Sequence, residues 1–183
     1  MPTRADYPEK PLRLVVPFPP GGSTEPLARI LSQKLGEAFG QQLIVDNRPG
    51  AGSTIGAEIV AKSPPDGYTL FLGSISNAIS AALYPKLNFD IVRDFAPITL
   101  LATTPGVLVV HPALPVKTVK ELLALAKGGK LNFGTAGNGT SPHLAAEYLF
   151  KVLGNVPVTH VPYNGGGPAL QAVVGGNIEL VNV

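Results

Sequence analysis

Leu12-Arg13-Leu14-Val15-Val16, followed at once by Pro17-Phe18-Pro19-Pro20-Gly21-Gly22-Ser23, sets the reading of the whole chain. The first run is apolar, β-branched and too short for a helix, so it predicts a buried strand, and the Pro/Gly run stops it. Leu27, Ile30, Leu31, Leu35, Ala38 and Phe39 then recur at three- and four-residue spacing. Arg29, Gln33, Lys34 and Glu37 fall between them, which predicts an amphipathic helix. Ser23 is placed to cap it, Pro26 fits only its first turn, and Gly40 ends it. The unit repeats with a strand at 43–45, a Gly-rich turn at 47–52, a helix at 53–62, a strand at 68–72 and a weaker helix at 78–83. Such β-α-β-α-β alternation predicts a parallel sheet with helices on both faces. An irregular stretch over 85–96 precedes a second α/β series. Its strands are expected at 107–111, 131–135, 158–161 and 178–181, and two of its helices at 118–127 and 168–174. A third helix, ending before Gly154, carries Leu144, Tyr148, Leu149 and Val152 on one face. The boundary is expected within 97–104, giving a first α/β lobe of 1–100 and a second of 101–183.

Composition narrows the function classes. Apolar residues make up 45% of the 183-residue chain, enough to fill a core, while charged residues reach only 14%. The 21 Gly and 19 Pro fall singly and in short clusters between apolar runs, where turns belong. A net charge of +2 with no dense Lys/Arg cluster argues against a nucleic-acid partner. Cysteine is absent, which removes disulfides and thiolate chemistry. Apolar stretches are broken by Thr and Pro well short of the ~20 residues a membrane span needs. Met1-Pro2-Thr3-Arg4-Ala5-Asp6 lacks an apolar signal stretch, so an export signal, if used, is expected to have been removed or replaced by the initiator Met.

Three junctions share one layout: strand, glycine loop, small residue, then Pro in the first helical turn. They are Gly21-Gly22-Ser23 before Pro26, Gly137-Asn138-Gly139-Thr140-Ser141 before Pro142, and Gly165-Gly166-Gly167 before Pro168. Glycine lets the backbone approach a ligand, and the N–H groups at a helix start carry partial positive charge. A tight turn explains any one loop alone, but three converging loops would bind an anion without Lys or Arg. Other motifs fail. No glycine stretch supplies the Lys-Ser/Thr of a phosphate loop, and Gly50-Ala51-Gly52-Ser53-Thr54-Ile55-Gly56 is one residue too long for a dinucleotide fingerprint. Gly-x-Ser-x-Gly is absent, and Ser141 and His143 lie too close in sequence to pair as nucleophile and base. His111, His143 and His160 have no zinc-type spacing, so neither a metal nor a cofactor is expected. His143 reads as a hydrogen-bond donor beside the second glycine loop, while His111 and His160 read as structural or exposed. Arg48 is expected in an ion pair within the protein.

Taken in order, Pro17-Phe18-Pro19-Pro20-Gly21-Gly22, Asn47-Arg48-Pro49-Gly50-Ala51-Gly52, Pro65-Asp66-Gly67-Tyr68-Thr69-Leu70, Asn132-Phe133-Gly134-Thr135 and Val161-Pro162-Tyr163 through Gly167 resemble the Bug family, the solute receptors of tripartite tricarboxylate transporters. The resemblance implies a type II periplasmic binding-protein fold, two Rossmann-like α/β lobes closing on a small di- or tricarboxylate, aromatic acid or amino acid. It implies periplasmic location, membrane transporter subunits as partners and no catalysis. It points to Phe18, Gly21, Gly22, Ser23 and Thr24 on the first lobe and Ala136, Gly137, Thr140 and His143 on the second as ligand-binding. Ser76, Asn77, Tyr163 and Gly166 are further candidates. Two departures stand out: Glu25 where the family usually has Asp, and a chain shorter than the family's two full lobes. The second leads to the expectation of a truncated first lobe with an uncovered edge strand, and hence of self-association. The rival readings are a sensory ligand-binding subunit and, further off, an enzyme acting on small carboxylates.

Overall fold

The computed structural model describes residues 7–183; Met1–Asp6, on which the export-signal expectation rests, lie outside the described residues. β1 (Leu12–Val16) is the central strand of a three-stranded sheet, flanked by β2 (Leu43–Asn47) and β3 (Thr69–Phe71), all parallel in the order β2-β1-β3. Leu12, Leu14 and Val16 bury one face against Leu43, Leu72 and Ala28 of the helix α1 (Thr24–Phe39). Val15, on the opposite face, is fully buried as well. Burial on both faces is why Leu14-Val15-Val16 reads as an unbroken apolar run, while part-buried Arg13 bonds to Asp46.

Gly40 ends α1 in the left-handed region at φ 64°, as expected. The start of α1 differs. Ser23 takes helical dihedrals and its side chain makes no capping bond. The Glu25 carboxylate accepts from the Gly21 N–H instead and is held by Arg29. The buried stripe is also narrower than its periodicity predicts: Leu27, Leu31 and Leu35 pack on the core while Ile30, Ala38 and Phe39 are exposed. A single 3-10 turn at Ala51–Ser53 leads into α2 (Thr54–Ala61), so the expected helix at 53–62 starts one residue later. α3 (Ile75–Leu83) begins three residues earlier than expected. Ser74 accepts from the Ser76 N–H and the Asn77 side chain accepts from the Ser74 N–H at 2.9 Å, a capping box that moves the start forward.

No helix or strand occurs over 84–107. The second sheet comprises β4 (Leu108–Val110), β5 (Leu131–Thr135), β6 (Val158–Pro162) and β7 (Leu180–Asn182) in the order β4-β7-β5-β6. β5 runs parallel to β6 and β7, but β4 is antiparallel to β7, so this sheet is mixed rather than parallel throughout. β5, β6 and β7 follow one another through α5 and α6, the crossover helices that accompany parallel pairing, whereas β4 enters from the irregular 84–107 segment. α4 (Val119–Ala126) and α5 (Ser141–Glu147) cover a core of Phe133, Phe150, Leu122 and Leu180, and α6 (Gly166–Val174) a second cluster with Ile178 and Val181.

α5 continues into a π-helical segment, Tyr148–Leu153, with the Gly154 N–H bonded to the Leu149 carbonyl at 2.9 Å. The wider turn rotates the following side chains. Ala146 and Phe150 are buried and Leu149 packs on the core as expected, whereas Leu144, Tyr148 and Val152 are exposed, so most of the apolar face expected from periodicity is not the buried one. Among the described residues no helix is long and apolar enough to cross a membrane.

Candidate functional site

The parallel strands point their carboxyl ends at one another across the molecule, and the loops leaving them enclose a cleft of ≈ 260 Å³. Residues 17–19 follow β1, 49–53 follow β2, 136–138 follow β5, and Pro162 at the end of β6 is followed by 163–165, with Tyr84 closing one side. Ligands in open α/β sheets bind at this position, outside the carboxyl ends of the strands. Among the described residues no charged side chain lines the cleft, and its polar groups there are the backbone and the side chains of Ser53, Tyr84, Asn138, Tyr163 and Asn164.

Glycine allows the two sets of loops to meet. A Cβ on Gly52 would lie 2.6 Å from the Asn138 carbonyl oxygen, and one on Gly167 would lie 2.8 Å from that of Gly21. Both are closer than carbon and oxygen tolerate. The 49–53 loop carries backbone strain too. Ala51 at φ 46° and Ser53 at φ 78° occupy the left-handed region that non-glycine residues avoid. Asn77 fixes Ser53 there, donating to its carbonyl at 3.2 Å and its hydroxyl at 3.0 Å.

Of the sequence candidates, Phe18, Ala136, Gly137 and Tyr163 line the cleft. Gly21, Gly22, Ser23 and Thr24 form the start of α1 beside it, where Gly21 abuts Gly167. The Thr24 hydroxyl is buried without a hydrogen-bond partner among the described residues. Gly166 opens α6 and packs near Val183. Ser76 and Asn77 are buried one layer behind, the latter with both ends of its amide spent on Ser53 and Ser74. Thr140 is buried and donates to the Gly137 carbonyl at 2.8 Å. His143 faces inward, its Nδ1 accepting from the Gly139 N–H at 3.2 Å and its Nε2 3.9 Å from Glu147.

Sequence reasoning did not name the 49–53 loop, Tyr84, Asn138 or Asn164 as site residues. The loop carries the same strand-glycine-helix signal as the other three, but its test against a dinucleotide fingerprint obscured that. Nor did sequence reveal His160, which is part-buried between Phe133 and His143, with ring centroids at 4.8 and 4.2 Å. Its Nε2 lies 2.7 Å from the Thr135 hydroxyl. Burial, and then the neighbouring His143, push its pKa down to about 4, against the pull of Glu147. Burial lowers that of His143 as well. Arg48 lies in the expected ion pair: it meets Asp46 at 2.9 Å, and Asp46 also takes Arg13. Burial pushes the Asp46 carboxyl up, but the two guanidiniums together hold it below its usual range.

Comparison with known proteins places this geometry in a family. The model of the tripartite tricarboxylate transporter family receptor (TctC) matches residues 27–183. Protein BugT of Bordetella pertussis is 39% identical over 180 residues, covering 96% of this chain and 55% of BugT. The chain spans about half the length of the curated relatives it matches. The periplasmic binding protein BugD superposes with a TM-score of 0.90 at 32% identity, over 95% of this chain and 58% of BugD. An R. palustris protein with adipate gives 0.88 at 37% identity, over 95% and 59%. MatC from Rhodopseudomonas palustris with bound malate gives 0.88 at 34%, over 95% and 60%. The fold is therefore that of a type II periplasmic binding protein, and the chain belongs to the TctC, or Bug, family of tripartite tricarboxylate transporter receptors.

Proposed function

We propose that the cleft captures a small organic acid in the periplasm, a dicarboxylate before other acids, and presents it unchanged to the membrane components of a tripartite transporter. The observation that carries this reading is an uncharged cleft enclosed by glycine loops from both sheets. Backbone N–H groups fixed in such loops suit a carboxylate, because charge-assisted hydrogen bonds are roughly twice as strong as neutral ones. Malate and adipate, bound to the two similar R. palustris proteins, are both dicarboxylates. Phe18, Ala136, Gly137 and Tyr163 are assigned direct contact, with the 49–53 loop opposite. Gly21, Gly22, Ser23, Thr24 and Gly166 are assigned the adjoining rim. The two lobes meet within the irregular segment, near residue 100, and open and close about it.

A melting screen tests the reading, with malate, adipate, citrate, benzoate and aspartate set against their amides. For a dissociation constant near ~1 μM, ~1 mM acid stabilises the protein by about 4 kcal/mol. At roughly 2–4 °C per kcal/mol the melting point rises by about 8–16 °C, and mass spectrometry recovers the acid intact. Gly137→Val, at φ 129° and 3.4 Å from the Tyr163 carbonyl, abolishes the shift. A transition moved only by neutral sugars or nucleotides overturns the assignment.

A further inference from the structure

We infer that the stacked His143–His160 pair is a positioning device for the cleft: in their neutral forms the two rings hold the Gly137–Gly139 loop in the shape that lines it. The inference rests on the cleft being the ligand site. His143 bonds to the loop directly and His160 through the Thr135 hydroxyl. His143 Nδ1 accepts from the Gly139 N–H at 3.2 Å, so its proton sits on Nε2, toward Glu147. His160 Nε2 pairs with the Thr135 hydroxyl at 2.7 Å, and the same hydroxyl accepts from the Gly137 N–H at 3.3 Å. Thr140 completes the clamp through the Gly137 carbonyl. Gly137 and Asn138 line the cleft directly, so the histidines act one bond behind the surface a ligand would touch.

A protonated His143 has no lone pair on Nδ1 and cannot accept from Gly139. Two imidazolium rings 4.2 Å apart would also repel. The ionisable groups near the pair are Glu147, 3.9 Å from His143, and Lys151, whose ammonium is bonded to the other Glu147 oxygen at 2.5 Å. Lys151 thus takes up much of the negative charge that would otherwise favour imidazolium. The neighbours from β5, Phe133 and Thr135, carry no charge. The loop is therefore held at neutral pH and released as pH falls.

Amide exchange by NMR on the full chain tests this without a ligand. Wild-type protection factors for Gly137 and Gly139 should be high at pH 7.5 and fall as the pH is lowered toward about 4. His143→Phe keeps the ring stack but removes the acceptor, so Gly139 should lose about tenfold in protection at pH 7.5 and no longer respond to pH. His143→Gln restores an acceptor that does not titrate, and should recover protection without recovering the pH response. In parallel, malate affinity should weaken in His143→Phe and be partly rescued in His143→Gln. Equal Gly139 protection in wild type and His143→Phe, with both folded by near-ultraviolet circular dichroism, overturns the inference, as does wild-type protection that stays flat from pH 7.5 to about 4 while that fold is kept. If malate fails to bind the wild type, the failure counts against the ligand reading, and amide exchange still decides the role of the histidines.

Discussion

His160 shows how little a residue's type says before its neighbours are known. In sequence it is one histidine near a strand end; in the fold it is pressed between Phe133 and a second imidazole, and burial pushes its pKa down to about 4. A histidine whose pKa lies below its unfolded value of about 6.5 binds fewer protons folded than unfolded, so its stabilisation is fully present above about pH 6.5 and is lost as pH falls toward 4. The whole shift corresponds to about 3 kcal/mol, and partial solvent access reduces this to roughly 1–2 kcal/mol. The melting point should therefore drop by about 2–8 °C between pH 7 and pH 4.5. His160→Phe should flatten this part of the curve in calorimetry, and an unchanged slope would argue against the histidine as its source. Carboxylates held low by their partners, such as Asp46 and Asp90, lose their contribution at still lower pH.

The helices fail or succeed at their ends. α3 begins where Ser74 and Asn77 exchange bonds with each other's backbone, and Ser74→Ala should cost about 1 kcal/mol, read as a drop of about 2–4 °C in melting point. Gly40 closes α1 at φ 64° with open space where a Cβ would sit. Gly40→Ala therefore isolates backbone strain from crowding and should cost about 1–2 kcal/mol by denaturant titration. The π-helical segment after α5 illustrates a limit of periodicity. Leu144, Tyr148 and Val152 form an apolar stripe for a regular helix, but the widened turn buries Phe150 against Phe133, with ring centroids 5.6 Å apart.

At the scale of the whole molecule, the two sets of loops touch backbone to backbone because glycines stand where they meet. Gly167 gives the cleanest test. It lies in the first turn of α6 with no left-handed φ, yet a Cβ there would sit 2.8 Å from the Gly21 carbonyl oxygen. Gly167→Ala should leave the helix no less stable, since Ala is the better helix former by about 1 kcal/mol, while holding the lobes apart. Malate affinity should then fall by about tenfold or more while secondary structure is retained, and X-ray scattering should report a larger radius of gyration. Unchanged affinity and radius would mean that the approach of the two loops is not needed for binding.

The linear sequence by itself determined the alternation of strands and helices, the core of β1 and β5, and the glycine loops, because local burial patterns and turn chemistry act over a few neighbouring residues. It also determined the family, through motifs whose order is written along the chain. Only the tertiary structure decided that β4 runs antiparallel, that the 49–53 loop faces the 136–138 loop, and that His143 stacks on His160. Those outcomes depend on which distant segments come to share a surface. The spacing between His143 and His160 along the chain carries no trace of it, since their contact is set by the pairing of β5 with β6 and by the direction in which α5 leaves its glycine loop.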